Sequence, residues 1–278
     1  MKSYESGLIL PIRFYTQLEH QDRFKPNANG VTLTELNYPY VDISTLAPFQ
    51  IVYQANDDTV SATMEIICVD TGDSIDVGDI MPYSDVYTDI TNQLTYLTYL
   101  AQNTIVGINT NAQYYIKVTI EDYQSFTRYF YSDLFMCAET TDTSMVAIEY
   151  WNTFTIMDIN YSNSTFHNLI WLPVQIKKPE YIITREAYED GLGESHNTWL
   201  KWEKQYQFNI MCTESLADAL SAITMHNNVV IRFGGIDSIC KDFTTETSWQ
   251  NIDCIASVTA TIVTDSYVVS STDSKKCF

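Results

Sequence analysis

Hydrophobic and polar residues alternate along much of the chain, which is the pattern of half-buried β-strands. Between residues 205 and 210, aromatic and aliphatic side chains share one face of such a strand, and glutamine and asparagine side chains share the other. After Thr213 the period becomes helical, and apolar residues recur on one stripe at Leu216, Ala219, Leu220 and Ile223. We therefore predict a short helix near 215–224 that packs on a sheet, with Ser215 as its cap and Asp218 as the capping-box partner.

Turn-forming residues divide the chain into four regions. Residues 1–47 form an N-terminal arm with the first strands, and 48–137 form an immunoglobulin- or fibronectin-like sandwich of about seven short strands. Residues 138–147 are small and polar and are predicted as a linker, and 148–278 form a second β-rich domain that holds the helix. The predicted fold is mainly β, with two β-sandwich-like domains, the second carrying a short packed α-helix.

Several segments carry more specific expectations. The arm docks either on its own domain or on a neighbouring copy, and a packed edge strand is the simpler interpretation. Residues 70–89 are rich in aspartate and are predicted as an acidic loop. Residues 94–108 fit a strand pair, although leucines at helical spacing leave a helix open. A turn at 190–193 is predicted to join strands at 180–188 and 199–211 into a hairpin.

The net charge of the chain restricts the classes of partner that it can bind. The formal net charge is −20, and no lysine or arginine lies between Lys25 and Lys117, where aspartate and glutamate occur eleven times. This acidic stretch, 26–116, repels phosphate, which argues against direct binding of DNA or RNA. The charge either serves solubility alone, or forms a surface that meets a basic partner or lines a conduit for a passing polyanion.

Candidate catalytic motifs have simpler explanations. Asp70, Thr71 and Gly72 follow an apolar strand as in aspartic proteases, but those enzymes need two such loops, and Asp73 adds a repelling charge. A β-turn is the better interpretation. The aspartates at 70, 73, 76 and 79 lack the spacing and glycine of an EF-hand loop. The histidines are scattered at His20, His167, His196 and His226. We predict no catalytic, cofactor or metal site, and no enzymatic activity.

The cysteines and the N-terminal sequence bear on the compartment. The six cysteines match no zinc spacing, and those on strands fit ordinary buried thiols. The first residues lack the apolar run and cleavage site of a signal peptide, and no stretch is long and apolar enough to span a bilayer. We expect assembly in a reducing cytoplasm and no membrane partner.

All five tryptophans lie in the second half of the chain, several beside polar residues. Aromatic residues in such positions are enriched at protein–protein contacts, although core packing explains most of them. The candidate inter-subunit contacts are Trp151, Trp199 and Trp202. Trp199 and Trp202 are three apart on a strand and point to opposite faces, so at least one is expected to be exposed.

Two sets of motifs, taken in order, resemble a known family. The first set comprises 49–51 (FQI), 114–118 (YYIKV) and 131–135 (YSDLF). The second set comprises 149–152 (EYWN), 159–161 (INY), 190–193 (DGLG), 202–208 (WEKQYQF), 216–220 (LADAL) and 226–227 (HN). Together they resemble the virion tail and collar proteins of gut bacteriophages, including crAss-like phages, in which a fibronectin-like module is followed by a second domain.

This resemblance implies a non-enzymatic structural protein of a phage virion. It would form a ring or tube segment of the tail or collar below the portal, by self-association of on the order of a dozen copies. Its partners would be copies of itself and adjacent portal, collar or tail proteins, while genomic DNA passes without specific binding. The protein would be made in the host bacterial cytoplasm and reside in the virion. The alternative is a baseplate or fibre protein that binds host-surface glycan.

Overall fold

The computed structural model describes residues 10–16, 38–42, 46–54, 59–90, 94–100, 107–109, 112–122, 126–138, 145–156, 159–162, 165–249 and 255–270. The described chain is mainly β with one short α-helix, which confirms the predicted fold class.

The strands run along the chain as β1 (Phe14–Tyr15), β2 (Tyr40–Asp42), β3 (Phe49–Tyr53), β4 (Thr59–Cys68), β5 (Ser74–Asp79), β6 (Ser84–Asp89), β7 (Leu94–Tyr99), β8 (Gln113–Asp122), β9 (Thr127–Ser132), β10 (Phe135–Ala138), β11 (Val146–Trp151), β12 (Asn168–Leu172), β13 (Glu180–Glu189), β14 (Ser195–Thr213), β15 (Asn228–Phe233), β16 (Ile236–Ile239), β17 (Asp242–Trp249) and β18 (Ile255–Ser270). The helix α1 spans Glu214–Ala222 and continues as a 3-10 turn at Ile223–Met225. In the described part of the chain no helix has the length and apolar character needed to cross a membrane.

Three sheets organise these strands. An eleven-stranded sheet runs β1-β9-β8-β10-β2-β12-β11-β15-β16, with β4 and β5 joined to the free side of β8. The second sheet has the order β13-β14-β18-β17, and the third has the order β3-β7-β6. The large sheet therefore contributes to both halves of the molecule.

The first core lies between the β1–β9–β8–β4–β5 part of the large sheet and the three-stranded sheet. Alternating residues of β8 point into it, including Ile116 and Val118, and meet Ile51 of β3. Phe14 of the N-terminal arm stacks near Phe49, with ring centroids 4.7 Å apart. The described parts of the arm thus pack on their own chain, while 17–37 lies outside the described residues.

The second core lies between the β12–β11–β15 part of the large sheet and the covered part of the four-stranded sheet. Its centre includes Ile148 of β11 and Phe208 of β14, both fully buried. The stripe predicted for the helix enters the same core, with Leu216, Ala219, Leu220 and Ile223 all at 0% exposure. Each buried leucine or isoleucine contributes roughly 1.5–3 kcal/mol, so packing rather than helix propensity holds α1.

The short strand β2 joins the two halves of the large sheet. It pairs in parallel with β10, where Tyr40 lies opposite Met136, and it meets β12 where Tyr40 lies opposite Trp171. Residues 146 and 147 of the predicted linker belong to β11, so the strand begins inside that segment, and 139–144 lies outside the described residues. The division into four regions stays a prediction.

The predicted acidic loop at 70–89 is wrong, because this segment contains β5 and β6. Strand β5 pairs with β4, and β6 pairs with β7 along its whole length. In β5 the apolar residues Ile75 and Val77 pack against the first core, while Asp76 is exposed. The aspartates occupy solvent-facing positions, so they do not interrupt the strand. In the described part of 94–108, β7 is a strand, and the helix alternative is wrong there.

The helix lies where it was predicted, but the predicted capping by Ser215 and Asp218 is wrong. Thr213 occupies the N-cap position with extended backbone, and its hydroxyl lies 3.1 Å from that of Ser215 without capping the helix. Asp218 instead accepts a hydrogen bond from Arg13 at 2.8 Å. The N-terminal segment is therefore fastened to the helix of the second core by an ion pair, in which Arg13 is almost fully buried.

A buried carboxyl group lies in the same place. The backbone N–H of Asp133 donates to the carbonyl of Arg13 at 2.8 Å, and the Tyr15 hydroxyl lies 3.4 Å from the Asp133 carboxylate. Burial raises the pKa of Asp133 to about 7, although the neighbouring Arg13 charge partly opposes this. The Asp133 carboxyl therefore titrates near neutral pH in the folded protein.

Candidate functional site

Three strands of the four-stranded sheet extend beyond the second core. We call this extension the ribbon, and it consists of β13, residues 195–204 of β14 and residues 265–270 of β18. The remainder, residues 205–213 of β14 with 255–263 of β18 and β17, is the covered end. At about 3.3 Å per residue, the ten residues of β13 give the ribbon a length of roughly 33 Å.

Turn chemistry explains why the ribbon forms. The predicted hairpin is confirmed, with β13 and β14 joined across 190–194. One carboxylate oxygen of Asp190 accepts the N–H groups of Leu192 and Glu194, both at 2.9 Å. Gly193 has a φ of 82°, a left-handed conformation that glycine adopts without strain. The pKa of Asp190 is lowered, chiefly by the hydrogen bond from the Glu194 N–H and next by the hydrogen bond with the His196 side chain.

The ribbon differs from the covered end in exposure. All ten residues of β13 are exposed, whereas Phe208 and Ile210 on the covered end of β14 are buried. Even-numbered residues of β14 share one face of the strand, so Leu200 and Trp202 lie on the same face as Phe208. The face that forms the core at one end of the sheet therefore continues into the ribbon.

A row of aromatic side chains crosses this face. The ring of Trp202 lies 5.6 Å from that of Tyr181 on β13 and 5.5 Å from that of Tyr267 on β18. Ile183 lies directly opposite Trp202 in the register. Tyr181, Ile183 and Tyr267 are 59%, 61% and 63% exposed. We call Tyr181, Ile183, Leu200, Trp202 and Tyr267 the aromatic face of the ribbon.

Charged residues surround the aromatic face, and the opposite side combines charged residues with Ile182, Trp199 and Val268. Lys204 and Asp265 share the row of Tyr181, and Arg185 lies opposite Leu200. On the opposite side, Lys201 and Glu203 form an ion pair at 2.7 Å. A largely apolar centre with a charged rim is the arrangement found in protein–protein interfaces.

Comparison with protein-family models found no match, and comparison with curated proteins found no significant similarity. What the ribbon does is therefore inferred from its own chemistry.

The structure brings two of the three candidate tryptophans into the ribbon. Trp202 lies on the aromatic face and Trp199 on the opposite face, as their spacing predicts. The expectation that one of them is exposed is wrong, because both are half-buried. Trp202 lies between Tyr181 and Tyr267, whose rings flank its own, so the exposed surface belongs to the tyrosines.

Trp151 lies elsewhere, on β11 of the large sheet. Its ring stacks on the imidazole of His167, with centroids 4.1 Å apart and planes at 10°. His167 lies 2.7 Å from the carboxylate of Glu149, which also binds Arg232. Burial raises the pKa of Glu149, but the hydrogen bond to His167 and the charge of Arg232 together outweigh it, so the pKa is lowered overall. Sequence reasoning missed Tyr181, Ile183 and Tyr267, although the aromatic and β-branched residues at 181–183 were a signal for a strand.

The Asp-Thr-Gly segment forms the predicted turn between β4 and β5. The N–H of Gly72 donates to the carbonyl of Cys68 at 2.9 Å, and the φ of Gly72 is 74°. Asp70 and Asp73 are exposed at this turn. Further along, Asp76 accepts the N–H of Gly78 at 2.9 Å, which is a local turn interaction.

A small cavity beside the end of α1 contains a thiol. Its volume is about 80 Å³, and its lining includes His226, Cys240 and Lys241. Ligand pockets usually measure roughly 300–1,000 Å³. Burial raises the pKa of Cys240 to about 11, so its thiol is protonated near neutral pH and is a poor nucleophile. The imidazole of His226 is engaged by the Tyr161 hydroxyl at 2.8 Å.

Proposed function

We propose that the protein is a structural subunit that associates with copies of itself into a ring or tube segment of a bacteriophage virion, and that the ribbon joins neighbouring subunits. The observation that carries this proposal is the aromatic face, where the core-forming face of the four-stranded sheet continues without cover from any described residue. The largest apolar patch on a soluble monomer is often functional, and the aromatic face is an apolar patch of this kind.

The magnitude of the available surface favours reversible assembly. The exposed parts of Tyr181, Ile183 and Tyr267 offer on the order of 300 Å² of mostly apolar area. At about 25 cal/mol per Å², its burial contributes roughly 7 kcal/mol, comparable to the roughly 4–15 kcal/mol cost of association. A single ribbon contact is therefore weak, and each subunit needs contacts on two sides to stay in a ring.

The edge of the ribbon offers a further mode of contact. Among the described strands, β13 pairs only with β14, so its outer edge presents backbone N–H and C=O groups. Such an edge is suited to the addition of a strand from a neighbouring chain.

A ring requires that the ribbon meet a different surface on the next subunit. Trp151 lies on a suitable surface, the outer face of β11, β15 and β16. On this face Val230 lies between Glu149 and Ile239 in the register. Glu149 is two residues before Trp151 on β11, so the two share the face. Ile239 is 68% exposed and Arg232 supplies a positive charge, so this outer face combines apolar and polar groups.

The resemblance in the sequence supports the virion part of the proposal. If the resemblance holds for function, the ring belongs to a tail or collar, next to portal, collar or tail proteins, and is assembled in the host cytoplasm. The exposed aspartates of the β4–β5 hairpin, together with a net charge of −20, would let genomic DNA pass without sticking.

Self-association tests the proposal directly. Sedimentation velocity and negative-stain imaging of the full chain should show concentration-dependent rings. Trp202→Ala and Tyr267→Ser should lower association at least about tenfold, since interface aromatics commonly contribute more than 1.4 kcal/mol. Tyr129→Ser is the matched control, because Tyr129 is an exposed tyrosine of β9 outside the ribbon. A wild type that remains monomeric at all accessible concentrations would contradict the proposal.

A mixing experiment tests whether two different surfaces meet. A Trp202→Ala chain keeps the outer face intact, and an Ile239→Asp chain keeps the ribbon intact. Each alone should remain monomeric, and their mixture should give dimers that grow no further. Continued growth of the mixture, or no dimer at all, would show that these two surfaces are not partners.

The aromatic face also favours a second function, glycan binding by a baseplate or fibre protein. Aromatic rings with a carboxylate at their edge, here Tyr181, Trp202 and Tyr267 beside Asp265, are chemically suited to a sugar ring. A stable trimer that binds glycans, and loses them on Trp202→Ala, would favour this function over the ring.

A further inference from the structure

The tip of the ribbon brings together three side chains that commonly bind metal ions. Asp190, Glu194 and His196 each offer a ligand atom, and these atoms all lie within 4.8 Å of one another. The Nε2 atom of His196 lies 3.0 Å from Oδ2 of Asp190. The turn between β13 and β14 creates this proximity, because it folds the chain back over six residues.

The two closest ligand atoms are held in position by their surroundings. Oδ1 of Asp190 is engaged by two backbone N–H groups of the turn, which leaves Oδ2 directed at His196. The imidazole packs near the ring of Tyr188, with centroids 5.3 Å apart, and Tyr188 lies opposite His196 in the register. Contacts outside the ligand set that orient the ligands are typical of metal sites.

The geometry fits a small divalent ion. Ligand atoms lie about 2.0–2.2 Å from zinc, so two ligands of one ion are separated by at most roughly 4.4 Å. The three ligand atoms, all within 4.8 Å of one another, lie close to that limit. An imidazole with two carboxylates suits zinc and neighbouring transition metals, whereas magnesium and calcium prefer sites built of oxygen alone.

A second histidine–carboxylate pair shows the contrast. His167 lies 2.7 Å from Glu149, but there the guanidinium of Arg232 binds the same carboxylate. A positive charge in that position opposes a cation. At the tip of the ribbon, the third side chain beside the histidine–carboxylate pair is Glu194, which adds negative charge where Arg232 adds positive charge.

We propose that the tip of the ribbon binds one divalent transition-metal ion, with zinc as the best fit, through Oδ2 of Asp190, a carboxylate oxygen of Glu194 and Nε2 of His196. The site is distinct from the aromatic face and does not depend on self-association. Three protein ligands leave one position of a tetrahedral ion for water or for a group from another molecule.

Isothermal titration of Zn²⁺ into the chelator-treated, dialysed full chain tests the site. The wild type should bind one ion per chain at this site, and an excess of Mg²⁺ should not compete. His196→Gln should weaken the binding at least about tenfold, the loss typical even of residues outside the ligand set. Asp190→Asn should do the same while keeping Oδ1 as an acceptor for the turn.

His167→Gln is the matched control, since it removes the other described histidine that contacts a carboxylate and should leave zinc affinity unchanged. Circular dichroism of each variant confirms that the fold is intact. The proposal is overturned if the wild type shows no saturable binding. It is equally overturned if His196→Gln and His167→Gln bind zinc as the wild type does, which would mean diffuse attraction to an acidic surface.

Discussion

The covered end and the ribbon are two parts of the same strands with opposite surroundings. On β14, Phe208 lies in the second core, and Trp202, six residues earlier on the same face, lies at the surface. The apolar face of the covered end continues into the ribbon at Leu200 and Trp202. What differs is the layer above the sheet: α1 and the large sheet cover one end, and no described residue buries β13 at the other. An apolar face thus identifies a surface to be covered, and the fold decides whether its own chain covers it.

The largest loss of stability should come from removing a buried side chain at the covered end. Phe208→Ala removes a fully buried ring and should lower the free energy of unfolding by about 3–5 kcal/mol. Trp202→Ala, on the half-buried ribbon, should cost clearly less stability while it weakens association. Urea denaturation of both variants measures the difference. Equal losses of stability would mean that the two ends are not distinct in burial.

A pH experiment should distinguish the ribbon from the region around Asp133 and Arg13, where the N-terminal segment contacts α1. The pKa of Asp133 is about 7 in the folded protein and near 3.8 when the chain is unfolded, so the folded state binds its proton more tightly. This contribution to stability is complete below about pH 4 and is lost as the pH rises through about 7, a change of roughly 4 kcal/mol.

Asp133→Asn should remove this pH dependence. As the pH rises from low values to about 8, the wild type should therefore lose stability relative to the variant. The measurement is the urea midpoint of both proteins across this range. Because Asp133 lies between β9 and β10 of the large sheet and on no strand of the ribbon, self-association should follow stability alone. A wild type and variant with parallel pH profiles would show that Asp133 titrates normally.

The smallest effect on stability should come from a charge on the ribbon. Ile183→Lys places an ammonium group on an exposed position of β13 and should change the free energy of unfolding by only about 0.5 kcal/mol. It should nevertheless reduce self-association, because burying an unpaired charge in an interface is costly. Thr184→Lys, on the opposite face of β13, is the matched control. If both lysines act equally, the aromatic face is not the contact surface.

The parts of the fold predicted from the sequence depend on local signals. The hairpin of β13 and β14 was predictable because alternation flanks a glycine-containing turn, and the apolar stripe of α1 because Leu216 and Leu220 recur at helical spacing. The strands β5 and β6 were missed because their aspartates resemble loop composition. Only pairing with β4 and β7 shows that these aspartates are solvent-facing positions of strands.

The candidate site was predictable only in part. Trp199 and Trp202 were identified from composition, but alternation does not reveal that the sheet extends past its core, since exposure depends on the other layers. Tyr267 comes from β18 and joins Trp202 only through long-range pairing. The cluster at Asp190, Glu194 and His196 matches no metal-binding spacing in the sequence, and the turn between β13 and β14 brings these side chains together.

The position of β2 has a consequence for the order of folding. This strand is made early, yet its partners in β10 and β12 follow roughly a hundred or more residues later. Closing such a loop costs entropy that no local contact offsets, so β2 must wait until most of the chain has left the ribosome. The large sheet is therefore completed late. During synthesis the N-terminal segment remains unpaired, and a mutation that slows the pairing of β2 would extend the time in which two incomplete sheet edges are open to aggregation.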